Sequence, residues 1–233
     1  MIKSLFWKEW RQQRWKLAYG CVLLMGSTLV GLRSRLMPDQ IIVGLSVIGG
    51  SFLMPLLVGM GLVAEERQEG CLDMLLALPV PSWKIFAVKM LVGAAVCVGP
   101  ILGSMIGALV TAAGREQSAS AIVIPYLGGA AFGLAVLVWA VAFGVRQPSE
   151  ARAGLVAIGV LVVWAFAAFA FEVFLGHHFN RASLEITPYG FFEATLDGDY
   201  EMLPRLIALQ LLMAACLLFW AGYRFGRLGR SRV

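Results

Sequence analysis

The chain has 233 residues, of which 60% are hydrophobic and only 14% are charged. Soluble domains carry about 25% charged residues, so this composition excludes an ordinary soluble fold. The mean hydropathy of +0.81 predicts a polytopic membrane protein, and the net charge of +5 then reflects membrane topology rather than binding to nucleic acid.

The N-terminal segment, residues 1–16, carries three tryptophans and five cations. Ile2, Phe6 and Trp10 share one helical stripe, while Lys8 and Arg11 point elsewhere. An aromatic and basic helix of this kind suits the headgroup layer of a membrane. We predict an interfacial helix over residues 1–16, after which the chain turns into its first span. A disordered basic leader is the alternative.

Six apolar runs predict six membrane-spanning helices, and the fold class is therefore all-α. The predicted spans are Leu17–Leu32, Ile41–Ala64, Ile85–Ala113, Ile122–Val145, Ala153–Gly176 and Leu206–Tyr223. No soluble domain fits in the remainder, so residues 1–233 form one transmembrane domain. Three GxxxG spacings, Gly103/Gly107, Gly129/Gly133 and Gly222/Gly226, predict close helix packing within the chain.

The distribution of cations predicts the orientation of the chain in a cell (inner) membrane. With both termini in the cytosol, only five of the 19 Lys and Arg residues fall on the outer side, namely Arg33, Arg35, Arg115, Arg181 and Arg205. Cytosolic segments of membrane proteins are enriched in cations. We therefore place both termini and the segment Glu65–Lys84 in the cytosol.

The segment between the second and third predicted spans is charged first and apolar afterwards. Its acids Glu66, Glu69 and Asp73 fall on one helical stripe, and an opposite stripe is apolar, comprising Cys71, Met74, Leu75 and Leu78. Pro79 and Pro81 are predicted to end this amphipathic helix. Its apolar face could be buried in the lipid interface or in a groove on a soluble partner.

The stretch Glu65–Lys89, together with the predicted interfacial helix and six spans, resembles the ABC-2 type permeases. These are the membrane subunits of one group of ATP-binding-cassette transporters, which are mostly exporters. The matching residues are Glu66, Gly70, Leu75, Leu76, Leu78, Pro79, Val80, Trp83, Lys84 and Lys89. In that family this segment is a coupling helix that docks into a cytosolic ATPase subunit. The resemblance implies the same role here, with docking through Glu66, Glu69, Gly70, Asp73, Met74, Leu75, Leu78, Pro79 and Lys84.

The sequence lacks a nucleotide-binding site of its own. A P-loop requires a Gly-Lys dipeptide within GxxxxGK[ST], and this chain contains none. We therefore expect a permease that is not itself an enzyme. It would pair with a second permease subunit, identical or related, and be driven by a separate ATPase.

Other candidate sites are weaker. The extracytoplasmic loop 177–204 holds His177 and His178, but their spacing does not suit a metal, and no cofactor is expected. Glu172 is the only acid well inside a predicted span and is a candidate for the substrate route. It also supports an alternative function, a secondary transporter or channel with Glu172 as an ion relay. A membrane scaffold for a soluble complex is a further alternative.

Overall fold

Helices form nearly all of the chain that the computed structural model describes, which comprises residues 2–34, 39–68, 70–77, 79–112, 119–145, 147–175 and 203–228. These helices are α1 (Ile2–Ser34), α2 (Asp39–Gln68), α3 (Cys71–Leu76), α4 (Ser82–Ala112), α5 (Ala119–Gly144), α6 (Glu150–Leu175) and α7 (Leu203–Leu228). The described ranges contain no β-strand. The predicted all-α class is confirmed.

Five of the described helices are long and apolar enough to cross a membrane. The qualifying stretches are Lys3–Arg33, Ile42–Arg67, Ser82–Ala112, Ile122–Gly144 and Ala208–Arg227. They lie in α1, α2, α4, α5 and α7. The protein is therefore a multi-pass, membrane-embedded helical bundle.

Helix α1 differs from the sequence-based expectation of an interfacial helix followed by a turn. It runs without a break from Ile2 to Ser34, a length of 33 residues. At 1.5 Å per residue the helix is about 50 Å long. Over this length it packs closely on α4, and its Glu9 pairs with Lys89 on that helix.

The helices alternate in direction, so one end of the bundle gathers the starts of α1, α4 and α6 and the ends of α2, α5 and α7. We call this the charged end. Helix α1 packs chiefly on α4 and α2 on α5, while α6 and α7 also pack on α5. A large apolar core near the charged end includes Leu5, Ile85 and Phe225. Deeper in the bundle, the hydroxyls of Thr28 and Ser46 lie 2.7 Å apart and join α1 to α2.

All three GxxxG pairs lie at helix contacts within the chain, as predicted. A Cβ at Gly103 would lie 3.0 Å from the Met25 sulfur on α1, and one at Gly222 would lie 3.5 Å from Phe86 on α4. Gly133 on α5 is in contact with the α2 backbone, because a Cβ there would lie 3.4 Å from the Ser51 Cα. These glycines bring the helices of one chain together.

Replacing Gly133 with leucine is expected to destabilise the bundle by about 1–3 kcal/mol or more, since the added side chain would enter the α2–α5 contact. A matched control is Gly159→Leu on α6, where a Cβ meets nothing within 4 Å. The measurement is the temperature at which the detergent-solubilised protein loses its gel-filtration peak. Equal midpoints for the two variants would contradict the packing assigned to Gly133.

Candidate functional site

The segment predicted as one amphipathic helix consists of two helical pieces. Helix α2 continues to Gln68, and α3 is a separate helix of 6 residues beginning at Cys71. Between them Gly70 adopts a positive φ of 73°, and its amide donates to the Arg67 carbonyl at 3.2 Å. Only glycine adopts this left-handed conformation readily, which explains the break. The one continuous amphipathic helix predicted for this segment is therefore interrupted at Gly70.

The predicted proline stop is confirmed. Helix α3 ends at Leu76 and α4 begins at Ser82, so Pro79 and Pro81 lie in the connection between the two helices. The Pro81 carbonyl accepts a hydrogen bond from the Lys84 amide at 2.9 Å and begins the first turn of α4. The connection therefore separates α3 from α4, and its prolines cannot donate the backbone hydrogen bonds that would continue α3.

The apolar side chains around α3 face two different environments. Leu75 is only 7% exposed and belongs to the same core as Leu5 and Ile85. Met74 is 79% exposed and Trp83, at the start of α4, is 62% exposed. The apolar face of this segment was expected to be buried either in the lipid interface or in a groove on a soluble partner. Leu75 instead packs into the core of its own chain.

The other predicted docking residues are placed as follows. Gly70 and Pro79 are exposed, and Lys84 is half-buried with its ammonium 5.5 Å from the centre of the Trp83 ring. Glu69 and Leu78 lie outside the described residues, and for Asp73 only the backbone of α3 is described. Met74, Pro79 and Trp83 are thus exposed apolar residues of the segment, as are Cys71, Ala77 and Pro81.

Glu66 belongs to a buried cluster of charges that the sequence analysis did not foresee. Lys89 Nζ on α4 donates to both carboxylate oxygens of Glu9 on α1, at 2.9 and 3.0 Å. The same nitrogen lies 2.8 Å from Glu66 Oε2 on α2, and Lys8 donates to Glu66 Oε1. Lys89, Glu9 and Glu66 are 1%, 2% and 1% exposed. We call Lys8, Glu9, Glu66 and Lys89 the Lys89 cluster.

The Lys89 cluster is balanced in charge and connects three helices. Two ammonium groups face two carboxylates, which offsets the high cost of removing each charge from water. Glu66 is buried and paired with both Lys8 and Lys89, so it holds the end of α2 against α1 and α4. Its contact with a partner stays a prediction. One signal in the sequence pointed to the cluster: Glu9 is the only acid before Asp39, and an isolated acid in an apolar helix needs a partner.

A second group of charges ties the end of α2 to α1 and α6. Lys16 Nζ lies 3.6 Å from Glu65 Oε2 and 3.7 Å from Glu150 Oε1. Gly61 leaves the space for this group, because a Cβ there would collide with the Lys16 ammonium. Arg67 adds a hydrogen bond of 3.2 Å to the Gln147 carbonyl in the α5–α6 connection. The end of α2 is thus fixed on several sides.

The remaining candidates are less informative. Glu172 lies in the last turn of α6, far from the charged end, and only its backbone is described. The loop 177–204 lies outside the described residues except for its last two positions, which begin α7. Within the described ranges, no group of three or more His, Cys, Asp or Glu residues could hold a metal ion.

Comparison with known proteins leaves the geometry as the main guide. No protein-family model matches the chain, and no curated protein matches it. The resemblance of the segment Glu65–Lys84 to ABC-2 type permeases therefore stays a prediction that rests on its residues.

Proposed function

We propose that this protein is the permease subunit of an ABC transporter of the ABC-2 type. In this proposal α6 also crosses the membrane, as the fifth of six spans, both termini face the cytosol of a cell (inner) membrane, and two permease subunits pair to enclose the route of an exported substrate. A separate cytosolic ATPase subunit supplies the energy. The alternative with Glu172 as an ion relay depends on a side chain that is not described and stays a prediction.

The observation that carries this proposal is the exposed apolar surface formed by Met74, Pro79 and Trp83. Met74 and Pro79 lie between the long helices α2 and α4, and Trp83 lies in the first turn of α4, all at the charged end of the bundle. Large exposed apolar side chains on a water-facing segment mark protein contact sites. Tryptophan and methionine are also among the residue types enriched in such contacts.

The support beneath this surface favours a docking element that passes force into the membrane. Leu75 anchors α3 in the core, and Glu66 and Lys89 hold α2 and α4 to α1 just below it. A partner that pushes on Met74 and Trp83 would act on helices that cannot yield separately. In this version of the coupling segment, Met74, Pro79 and Trp83 contact the ATPase, and Leu75 and Glu66 hold the segment in place.

Replacing Met74 with aspartate is expected to release the ATPase while leaving the permease folded. The new charge would lie in the partner contact, where an unpaired carboxylate costs about 2 kcal/mol or more, a loss of binding of about thirtyfold or more. The measurement is the amount of ATPase that co-purifies with tagged permease from its native host, identified by mass spectrometry.

Ala151→Asp is the matched control for this experiment. Ala151 is exposed at the same end of the bundle, in the first turn of α6. A carboxylate is favourable at a helix N-terminus, so this variant should keep its partner. Retention of the ATPase by the Met74→Asp variant, or equal loss from both variants, would contradict the docking surface.

A further inference from the structure

Helix α1 exposes one face between Arg11 and Val22. Arg11, Trp15, Tyr19 and Val22 follow one another at intervals of three or four residues, and all are exposed. Because this spacing matches the helical repeat, these residues form one stripe whose chemistry changes from basic to aromatic to apolar.

The cations of this stripe are available to an outside ligand. Lys8 is paired with Glu66. Lys16 is paired with Glu65 and Glu150. Arg11 forms no ion pair with any residue that the structure describes, and the Arg14 guanidinium lies 5.7 Å from the centre of the Trp15 ring. The only acid of α1, Glu9, is buried on another face.

We propose that this face of α1 binds an anionic phospholipid, with its phosphate at Arg11 and Arg14 and its acyl chains along Tyr19 and Val22. Aromatic residues favour the boundary between headgroups and acyl chains, where Trp15 and Tyr19 would then lie. Basic residues beside a membrane attract anionic headgroups. From Arg11 to Gly26 the helix rises about 22 Å, which equals the thickness of one leaflet.

The order of residues along the stripe favours lipid over other occupants. A soluble partner that bound Arg11 and Arg14 would leave the apolar continuation at Val22 without a role. A second copy of this chain related by a two-fold axis would place Arg11 near its own symmetry mate, where like charges repel. A phospholipid matches both ends of the stripe at once. The inference requires only that the chain lies in a membrane, so it holds whether or not an ATPase docks at α3.

A lipid competition experiment tests this inference. Purified full-length protein in detergent is mixed with equal amounts of phosphatidylglycerol and phosphatidylcholine, isolated again, and its bound lipid is counted by mass spectrometry. The unaltered chain should retain phosphatidylglycerol in excess. The double variant Arg11→Gln/Arg14→Gln should lose about tenfold or more of that preference. Arg33→Gln, at the other end of α1, is the matched control and should keep it.

Three further outcomes would contradict the assignment of this face to a phospholipid. An excess of inorganic phosphate should not displace the lipid, because phosphate lacks acyl chains, and displacement by phosphate would overturn the lipid assignment. Equal retention of the two lipids by the unaltered chain would overturn it as well. A double variant that changed its oligomeric state but kept its lipid would assign the face to a second copy of the chain instead.

Discussion

Replacing Lys89 with methionine is expected to destabilise the folded chain by about 3–5 kcal/mol, because two buried carboxylates would lose their shared partner. Among the residues that the structure describes, the other cation close to Glu9 is Lys8, whose ammonium lies 3.8 Å away and already pairs with Glu66. Removing one member of a buried ion pair costs far more than removing an exposed one. The measurement is the thermal midpoint of the purified protein in detergent, together with its yield in the membrane.

Two controls separate the loss of pairing from the loss of a lysine. Lys84→Met removes a half-buried lysine five residues earlier on the same helix and should change the midpoint little. The triple variant Glu9→Gln/Glu66→Gln/Lys89→Met removes the buried charges together and should recover part of the lost stability. A triple variant less stable than Lys89→Met alone would refute the assignment of the cost to unpaired carboxylates.

Replacing Leu75 with aspartate is expected to prevent stable folding rather than only to remove the ATPase. The change gives up the burial of a leucine and places a carboxylate in an apolar core, at a combined cost of about 3 kcal/mol or more. The expected result is a low yield of folded permease in the membrane, measured by fluorescence-detected gel filtration. Leu75→Met, which conserves volume, should restore that yield.

Aspartate is expected to have different effects at the two adjacent positions 74 and 75. Met74 and Leu75 are neighbours on α3, yet one is exposed and the other lies in the core. Met74→Asp should therefore give folded permease without its partner, and Leu75→Asp should give little folded permease at all. Well-folded protein from Leu75→Asp that lacks the ATPase would show that Leu75 faces the partner, as the sequence pattern alone indicated.

Much of the fold followed from the sequence because long apolar helices depend on local composition. The predicted start of the third span, Ile85, lies three residues inside α4, which begins at Ser82. The predicted end of the second span, Ala64, precedes the end of α2 at Gln68. These differences arise because helical backbone continues past the apolar residues into polar ones, where hydropathy no longer reports it.

The site was harder to predict because its contacts join distant parts of the chain. The pairing of Lys89 with Glu9 spans 80 residues, and no local pattern specifies which cation reaches which acid. Helical periodicity correctly placed Leu75 on an apolar face but could not tell which surface covers that face. The break at Gly70 depends on one left-handed residue, and an average over a helical window does not detect it.

The unbroken course of α1 fixes how far the segment α3 stands from the membrane. Lys8 pairs with Glu66, two residues before the end of α2, and Lys8 precedes Trp15 by seven residues, or about 10 Å along the helix axis. With Trp15 at the boundary of the acyl chains, as we propose, α3 lies beyond a headgroup layer that is about 5–8 Å thick. A rigid spacer of this length would keep a docked partner clear of the lipid surface, so the partner would need no membrane affinity of its own.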